Sequence, residues 1–427
     1  MKDFVLSPQV GGTPNLKIDY QKELNDEQYK AVTAGSGPAL VLAGAGSGKT
    51  RTITYRVAWL LEHGVPPDNI LLLTFTNKAA NEMVQRIDSL LGAYPAGLWA
   101  GTFHSVANRL LRRYASRLGY GSNFSILDED DSKELVSLCV KELKIDVKGQ
   151  KFPSSAVLRS IISFANNKDC TMGQVLEKQH PRFISWRLDI ENVANLYRQQ
   201  KLSQNAMDFD DLLLKLLELL KKDEEVRRDL SEQFQYILVD EFQDTNVIQA
   251  SIVQLLAAHH GNVLAVGDDA QSIYSFRAAE IRNMLDFPNL YTGTAMYRLT
   301  TNYRSTPQIL AVANAVIKNN SEQFSKELKT SCESGEKPAL VAAASPSQEA
   351  QYIADQVASL LNSGSTLPQI AVLFRSSFHS QSLEFELMRR GIAYEYRGGM
   401  KFFERAHIKD AIAHLRLMHN HKDGMAW

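Results

Sequence analysis

A glycine-rich segment of the chain has the composition and spacing of a loop that binds phosphate groups. Residues 43–50 read AGAGSGKT and directly follow an apolar run, Pro38–Ala43, that is typical of a buried strand. Glycines permit a tight backbone path whose amides point inward, and a helix beginning at the loop adds the field of its N-terminus. Lys49 can then reach the β- and γ-phosphates of a nucleotide, while the Thr50 hydroxyl can ligate Mg²⁺. Ala43 stands where the general pattern has glycine, a change that a small residue tolerates.

Two adjacent carboxylates stand at the end of another apolar run. Residues 236–246 read YILVDEFQDTN, which places Asp240 and Glu241 at the carboxyl end of a buried strand. Ligands of open α/β sheets bind at that edge. Asp240 can hold Mg²⁺ through its water shell, and Glu241 can polarise the attacking water. A glycine loop alone is compatible with kinases, switches and motors, whereas the acidic pair favours a nucleotide hydrolase.

The acidic segment and six others resemble the UvrD, Rep and PcrA group of superfamily 1 DNA helicases. VDEFQDTN is followed by VGDDAQSIYSFRAA (Val266–Ala279) and TTNYRST (Thr300–Thr306). The remaining matches are LNDEQYKAV (Leu24–Val32), TFTNKAANEMVQR (Thr74–Arg86), GTFHS (Gly101–Ser105) and AMDFDDLL (Ala206–Leu213). Each piece is weakly specific, but seven in the family's order and spacing make chance agreement negligible. The resemblance extends to about Asp410, where FFERAHIKD (Phe402–Asp410) is expected to serve packing.

The resemblance implies a role for each matched residue of the nucleotide site. Gln28 would read the edge of the adenine, and Tyr303 would stack on its face. Gln271 would contact the γ-phosphate and report hydrolysis to the DNA side, and Arg304 would be an arginine finger from the second α/β unit. The implied catalytic set is Lys49, Asp240, Glu241, Gln271 and Arg304. The implied ATP-binding set is Gln28, Ala45, Gly46, Ser47, Gly48, Lys49, Thr50, Arg51, Tyr303 and Arg304, with Thr50 and Asp240 as the Mg²⁺ residues.

Aromatic and polar residues in the matched segments indicate a track for single-stranded DNA. Aromatic faces bind single strands because base stacking tolerates any sequence. The family uses the segments that contain Phe75, Tyr274, Phe276 and Arg277 in this way. It contacts the DNA backbone through the segment of Thr102 and His104, to which we add Phe209. An aromatic residue beside a strand, taken alone, belongs more often to a core.

A basic helical face lies next to these segments. Arg109, Arg113 and Arg117 recur at four-residue spacing. Such a face is either simply solvated or directed at phosphates, and we favour the phosphate-facing alternative slightly.

Apolar periodicity predicts the elements that position these residues. Between Leu24 and Gly121, short apolar runs alternate with helical patterns, as in a parallel α/β sheet. Helical patterns alone are predicted from Arg109 to Leu230, and the α/β pattern then resumes. A second α/β unit after Thr300 is predicted to contain strands near Ala339–Ala343 and Ile370–Phe374.

The fold class is therefore predicted as α/β. With the resemblance, we expect a RecA-like P-loop NTPase parallel sheet with an all-α inserted subdomain, plus a second, incomplete RecA-like α/β domain. The predicted boundaries are 1–108 and 206–296 for the two segments of the first motor domain, 109–205 for the insertion, and 297–427 for the second domain.

Composition and charge restrict where the protein works and how it meets nucleic acid. The chain is 44% hydrophobic and 22% charged, as in soluble globular proteins. A net charge of −1 means that any DNA surface is local. We find no apolar run that suits a signal peptide or a membrane span, so we predict a cytoplasmic protein without membrane contact.

The predicted function is an ATP-dependent DNA helicase or translocase that couples Mg·ATP hydrolysis to movement on single-stranded DNA in repair or replication. A 3′-to-5′ direction is implied by the family alone. The expected partners are single-stranded DNA, single-strand/duplex junctions and repair or replication proteins.

Two other classes remain open. One is a related enzyme, either a helicase–nuclease subunit or an RNA-directed helicase of the same superfamily. The other is a nucleotide-gated DNA-binding module without activity, against which the intact Lys49, Asp240, Glu241 and Arg304 argue. In the family the second motor domain continues through a large insertion and two more motifs. We therefore expect the chain to be a fragment, rather than a naturally short form, that lacks full activity alone.

Overall fold

Six parallel strands form the central sheet of the computed structural model, which describes residues 16–145, 152–397 and 406–425. The sheet order is β3-β2-β6-β7-β1-β8. The strands in chain order are β1 (Ala39–Ala43), β2 (Ile70–Thr74), β3 (Trp99–Thr102), β4 (Ser125–Leu127), β5 (Ala206–Asp208), β6 (Tyr236–Val239), β7 (Val263–Gly267), β8 (Ala295–Leu299), β9 (Thr301–Asn302) and β10 (Lys329–Thr330). The two-residue strands β9 and β10 pair in parallel.

The apolar runs of β1, β2 and β7 are buried on both faces of the sheet. Alternate residues, such as Leu40 and Leu42, enter one hydrophobic cluster, while Val41 and Ala43 enter the cluster on the opposite face. This two-residue period explains why the strands read as continuous apolar runs in a sheet covered by helices on both sides.

Helices separate most of the strands along the chain. In chain order they are α1 (Tyr20–Glu23), α2 (Asp26–Val32), α3 (Lys49–Glu62), α4 (Asn77–Leu91), α5 (Phe103–Tyr114), α6 (Glu129–Glu142), α7 (Ser155–Asn167), α8 (Met172–Gln179), α9 (Arg187–Ser203), α10 (Phe209–Lys222), α11 (Glu224–Gln233), α12 (Val247–Leu256), α13 (Arg282–Leu285), α14 (Phe287–Leu290), α15 (Pro307–Ile317), α16 (Pro346–Asn362), α17 (Ser377–Arg389) and α18 (Ala406–His419). Among the described helices, none has the length and apolar character needed to cross a membrane.

A separate hydrophobic cluster forms in the helical part of the chain. It runs from Leu127 to Ala206 and includes Tyr197, whereas Phe103–Phe124 packs with the main core. The prediction that strands are absent from Arg109 to Leu230 is wrong, because β4 and β5 pair in parallel there. Three-residue strands are too short to produce a recognisable period in the sequence. The predicted domain boundaries stay a prediction.

The chain divides into two compact units, Met1–Gly335 with Arg416–Trp427, and Glu336–Leu415. In the second unit, α16 and α17 pack through Ala350, Ala354, Leu383 and Leu387. The strands predicted near Ala339–Ala343 and Ile370–Phe374 are wrong, since the described residues there form no strand. Leu340 and Leu373 are almost fully exposed. An apolar run becomes a strand only when a neighbour pairs with its backbone, and a run alone does not specify that neighbour. The segment Phe402–Asp410 lies largely outside the described residues.

Candidate nucleotide site and nucleic-acid track

The glycine loop joins β1 to α3 at the carboxyl edge of the sheet. Gly46 and Gly48 have positive φ angles of 67° and 89°, which L side chains rarely adopt. A Cβ at Gly46 would also lie 2.7 Å from the Arg304 Cβ, so glycine is required there for space as well. Ser47 closes the loop, because its backbone amide and its hydroxyl both donate to the Gly44 carbonyl. The loop is therefore a tight turn between β1 and α3 that requires glycine at Gly46 and Gly48.

The acidic pair meets the loop at the same edge, although β7 lies between β1 and β6 in the sheet. The Lys49 ammonium donates to Glu241 Oε2 at 2.7 Å. Glu241 adopts the left-handed conformation, with φ of 50°. A non-glycine residue in this region is strained, and such strain is common at functional sites. This turn directs Glu241 back toward the loop.

Asp240 is a buried carboxylate suited to a cation. Its Oδ1 atom has no hydrogen-bond partner among the described residues. Burial and the Glu241 charge together raise the pKa of Asp240 to about 7, against the opposing effect of the Lys49 charge. Burial and Glu241 likewise raise the pKa of Asp244 to about 6. A divalent cation would relieve this accumulation of carboxylates, so the residues fit Mg²⁺.

The segment Leu299–Arg304 crosses the glycine loop. Asn302 Nδ2 donates to the Ala45 carbonyl at 2.6 Å, and the Tyr303 amide donates to the Gly46 carbonyl at 2.9 Å. The Arg304 side chain is exposed, and its stem starts beside Gly46. The structure thus places Tyr303 and Arg304 beside the loop.

Helix α2 contacts both the loop and the crossing segment. Gln28 is buried, and its Nε2 donates to the Ser47 carbonyl at 3.0 Å. Asn25 Nδ2 donates to the Tyr303 hydroxyl at 2.6 Å. Glu27 accepts hydrogen bonds from the Thr300 amide and hydroxyl. Sequence reasoning missed Asn25 and Glu27, because their partners lie far away in the chain.

Thr50 and Arg51 occupy the first turn of α3. Thr50 directly follows Lys49, and its carbonyl accepts from the Thr54 hydroxyl. The Arg51 guanidinium is bound to Glu23, at 2.9 Å from Oε2, and lies over the Tyr55 ring. In this structure α1 therefore engages the Arg51 side chain.

Gln271 stands at the end of β7, between the two other strand ends. Its Nε2 donates to Asp268 Oδ2 at 2.6 Å, and the Asp268 amide donates to Gln243 Oε1 at 3.0 Å. Gln243 Nε2 in turn donates to Glu241 Oε2 at 2.9 Å. A continuous series of hydrogen bonds therefore joins Gln271 to Glu241, and Gln243 within it was not predicted.

A buried lysine pairs with two aspartates that directly follow β7. The Lys326 ammonium lies 2.5 Å from Asp268 Oδ1 and also pairs with Asp269. All three side chains are buried, so the lysine compensates two carboxylates that water cannot solvate. No motif pointed to Lys326, because a lone lysine between helical and extended segments carries no sequence signal.

The residues predicted to contact DNA fall into two groups. Tyr274 and Phe276 are exposed, and the Arg277 guanidinium lies 5.6 Å from the centre of each ring. This arrangement presents two aromatic faces and one charge to solvent.

The second group lies around the N-terminus of α5. Thr102 caps the helix by accepting from the Ser105 amide, and the exposed Phe75 ring is 6.5 Å from Phe103. The His104 ring is 6.0 Å from Phe209, which is half exposed at the start of α10. Burial lowers the pKa of His104, while the Asp210 charge raises it.

The arginines of α5 and of the turn after it contact aromatic rings and carboxylates of the protein itself. The Arg109 guanidinium lies 3.5 Å from the Trp99 ring centre, and Arg113 lies over Tyr114. Arg117 pairs with Asp223 and Glu225. Arg117 therefore already has two acidic partners within the protein, and the orientation of this face toward phosphates stays a prediction.

Comparison with known proteins gives two family matches that together cover almost the whole chain. The family described as UvrD/REP helicase N-terminal domain matches residues 24–292. The UvrD-like helicase C-terminal domain matches residues 297–427.

Curated relatives agree with these matches. The chain is 40% identical over 409 residues to the ATP-dependent DNA helicase PcrA of Staphylococcus epidermidis, covering 95% of the chain and 55% of the relative. It is 40% identical over 405 residues to DNA helicase II of Salmonella typhimurium, with the same coverage of 95% and 55%. The chain therefore spans about half the length of the curated relatives it matches.

Proposed function

Because the chain belongs to the UvrD/Rep helicase family, we propose that it forms part of an ATP-dependent DNA helicase that moves on single-stranded DNA. The observation that carries the proposal is the 2.7 Å contact between Lys49 and Glu241, with the Arg304 segment crossing the same loop. A lysine for phosphates, a carboxylate for water and an arginine beside the loop are the groups that nucleotide hydrolysis requires. The parallel sheet and the family matches are consistent with a fold of two RecA-like domains.

Each residue has a distinct task in this proposal. The loop amides and Lys49 hold the phosphates. Thr50 and Asp240 would hold Mg²⁺, which would supply charge neutralisation at the phosphate oxygens. Glu241 takes the proton of the attacking water. Arg304 stabilises the charge that develops on the transferred phosphoryl group. Gln28 and Tyr303 position the adenine.

Nucleotide turnover is coupled to DNA through the ends of β7 and α5 in this proposal. Tyr274 and Phe276 stack on bases, while Arg277, Thr102 and His104 contact the DNA backbone. Phe75 and Phe209 extend the track. Gln271 connects the phosphate side to Tyr274 because both lie in the segment that follows β7.

The finer biological assignments rest on the family. We propose 3′-to-5′ movement, a role in repair or replication, and action at single-strand/duplex junctions together with repair or replication proteins. We also propose a cytoplasmic location, because ATP and chromosomal DNA occur there.

The test is ATP hydrolysis by the chain with single-stranded DNA, duplex DNA or RNA, with Lys49→Ala as the matched inactive variant. We expect single-stranded DNA to give the largest increase in kcat. Greater stimulation by RNA would favour an RNA-directed helicase. Nucleotide-dependent DNA binding without hydrolysis would favour a gated binding module.

A further inference from the structure

The C-terminal end of α7 contacts the two loops that follow β6 and β7. Asn167, the last residue of α7, accepts a hydrogen bond from Asn246 Nδ2 at 2.7 Å. Lys168 pairs with Glu280 at 2.8 Å and donates to the Ala279 carbonyl at 3.1 Å. The helical part of the chain is thereby attached to the loop of the acidic pair and to the segment after Tyr274 and Phe276.

The other end of the Asn167 amide reaches α10. Its Nδ2 donates to Asp210 Oδ1 at 2.9 Å and to the Ser163 carbonyl at 3.0 Å. Asp210 also accepts from Arg159 Nη1 at 2.8 Å. Since Asp210 directly follows Phe209, the carboxylate lies beside one of the groups proposed to contact DNA.

Asn167 therefore bridges two structures that are remote in sequence. An amide group can accept from Asn246 and donate to Asp210 at once, which neither a carboxylate nor an ammonium can do. Its neighbours fix its orientation, because a reversed amide would place one NH₂ group against another. The acidic loop is held from a second side, since Asn283 Nδ2 donates to the Thr245 and Asn246 carbonyls.

We propose that Asn167 is a positioning residue that couples the DNA track at Phe209 to the acidic loop of Asp240 and Glu241. When DNA displaces the start of α10, the Asp210 carboxylate moves the amide of Asn167. Asn167 in turn moves Asn246, which caps α12 directly after the acidic segment. The inference rests on the proposed function, because it requires hydrolysis that responds to DNA.

The first test compares ATP hydrolysis by the unaltered chain and by Asn167→Ala, with and without oligo(dT). We expect unchanged basal kcat and KM for ATP, and about a tenfold lower stimulation by DNA, the size expected for one hydrogen bond to a charge. The matched control is Asn195→Ala, which removes an exposed asparagine of α9 from the same helical part. This control should retain full stimulation.

Moving the negative charge from position 210 to position 167 distinguishes a coupling role of Asn167 from a simple loss of packing. Asn167→Asp places a second carboxylate against Asp210 and should lower the stimulation as the alanine variant does. Combining it with Asp210→Asn restores one carboxylate facing one amide, while Asn246 still has an acceptor. The double variant should recover most of the DNA stimulation.

The possible results test the role of Asn167 separately from the proposed helicase function. Full stimulation in Asn167→Ala, or no recovery in the double variant, overturns the role of Asn167 and leaves the helicase proposal standing. Equal loss of basal and DNA-stimulated rates, with a lower unfolding temperature, assigns Asn167 a structural role and also overturns the inference. Hydrolysis by the unaltered chain that does not respond to DNA overturns both.

Discussion

Lys49 and Glu241 form a direct ion pair across the candidate nucleotide site, with Lys49 Nζ 2.7 Å from Glu241 Oε2. The two side chains belong to different strand ends and have different proposed tasks, yet each neutralises the other here. In the proposed function, an incoming phosphate takes Lys49 from Glu241, which frees the carboxylate for water. Binding of the phosphates and release of the proposed base would then be the same event.

Glu241→Gln should abolish turnover without weakening nucleotide binding, because the variant removes the base and releases Lys49 from its ion pair. Lys49→Ala should weaken binding, since its charge faces the phosphates before any reaction occurs. Titration with a fluorescent ATP analogue measures binding, and phosphate release measures turnover. Equal loss of nucleotide affinity in the two variants would show that this division of roles is wrong.

Tyr274→Ala and Phe276→Ala should each weaken single-strand binding by ~1–3 kcal/mol, the range for one lost base stack. The rings are 39% and 67% exposed, so their removal should hardly change the unfolding temperature. Fluorescence anisotropy with a labelled oligonucleotide measures the affinity.

Tyr94→Ala is a matched control for Phe276→Ala, because Tyr94 is as exposed as Phe276 but lies outside the matched segments. It should leave DNA affinity unchanged. A large fall in unfolding temperature for Phe276→Ala, with unchanged affinity, would instead make Phe276 a core residue.

The sequence predicted the phosphate loop, the acidic pair and the strands that end in them, because these features are local. A strand of five apolar residues and the glycine pattern after it can both be recognised in the sequence without knowledge of what they contact. The caps of α6 and α10 are local as well, since the Asp128 and Asp208 side chains accept hydrogen bonds from the first turns of these helices.

Residues that act through remote contacts could not be predicted in this way. Lys326 matters because it meets Asp268, and Asn167 because it meets Asn246, and neither partner is close in the chain. The ion pairs of Arg117 with Asp223 and Glu225 could not be predicted either, because these partners are also far away in the chain. The period of a helix shows that residues share a face, but it does not show what that face contacts.

The raised pKa of Asp240 predicts how stability depends on pH in the absence of Mg²⁺. Burial and Glu241 raise this pKa from 3.8 to about 7, so the folded protein binds a proton that the unfolded chain has released. Stability should therefore fall as pH rises from about 4 to 7, by at most about 4 kcal/mol from this group. Thermal unfolding of the metal-free protein across this range measures the effect.

Asp240→Asn is the matched variant for this pH dependence, because it keeps the shape of the side chain and removes its charge. Above pH 7 it should be more stable than the unaltered chain, and the difference should shrink toward pH 4. Added Mg²⁺ should stabilise the unaltered chain more than the variant. If stability depended on pH identically in the two proteins, the charged form of Asp240 would not destabilise the fold, and the prediction would be wrong.

Arg304→Ala should slow hydrolysis by ~10³–10⁵, the value typical of an arginine finger, while nucleotide affinity changes little. The Arg304 side chain starts beside Gly46, and its amide donates to Asn302 Oδ1, so the residue is anchored at the loop proposed to hold the phosphates. Arg304→Lys should restore only part of the rate, because an ammonium lacks the planar pair of donors that matches a phosphoryl group.

Arg298→Ala controls for the loss of a positive charge near the site, since Arg298 is exposed on β8, which leads into the same segment. Single-turnover hydrolysis isolates the chemical step from binding and product release. If Arg304→Ala and Arg298→Ala slow that step equally, the effect comes from the total positive charge near the site and not from a specific contact of Arg304. If only Arg304→Ala slows it, the guanidinium acts at the transition state, because the Coulomb field of Arg298 remains in place.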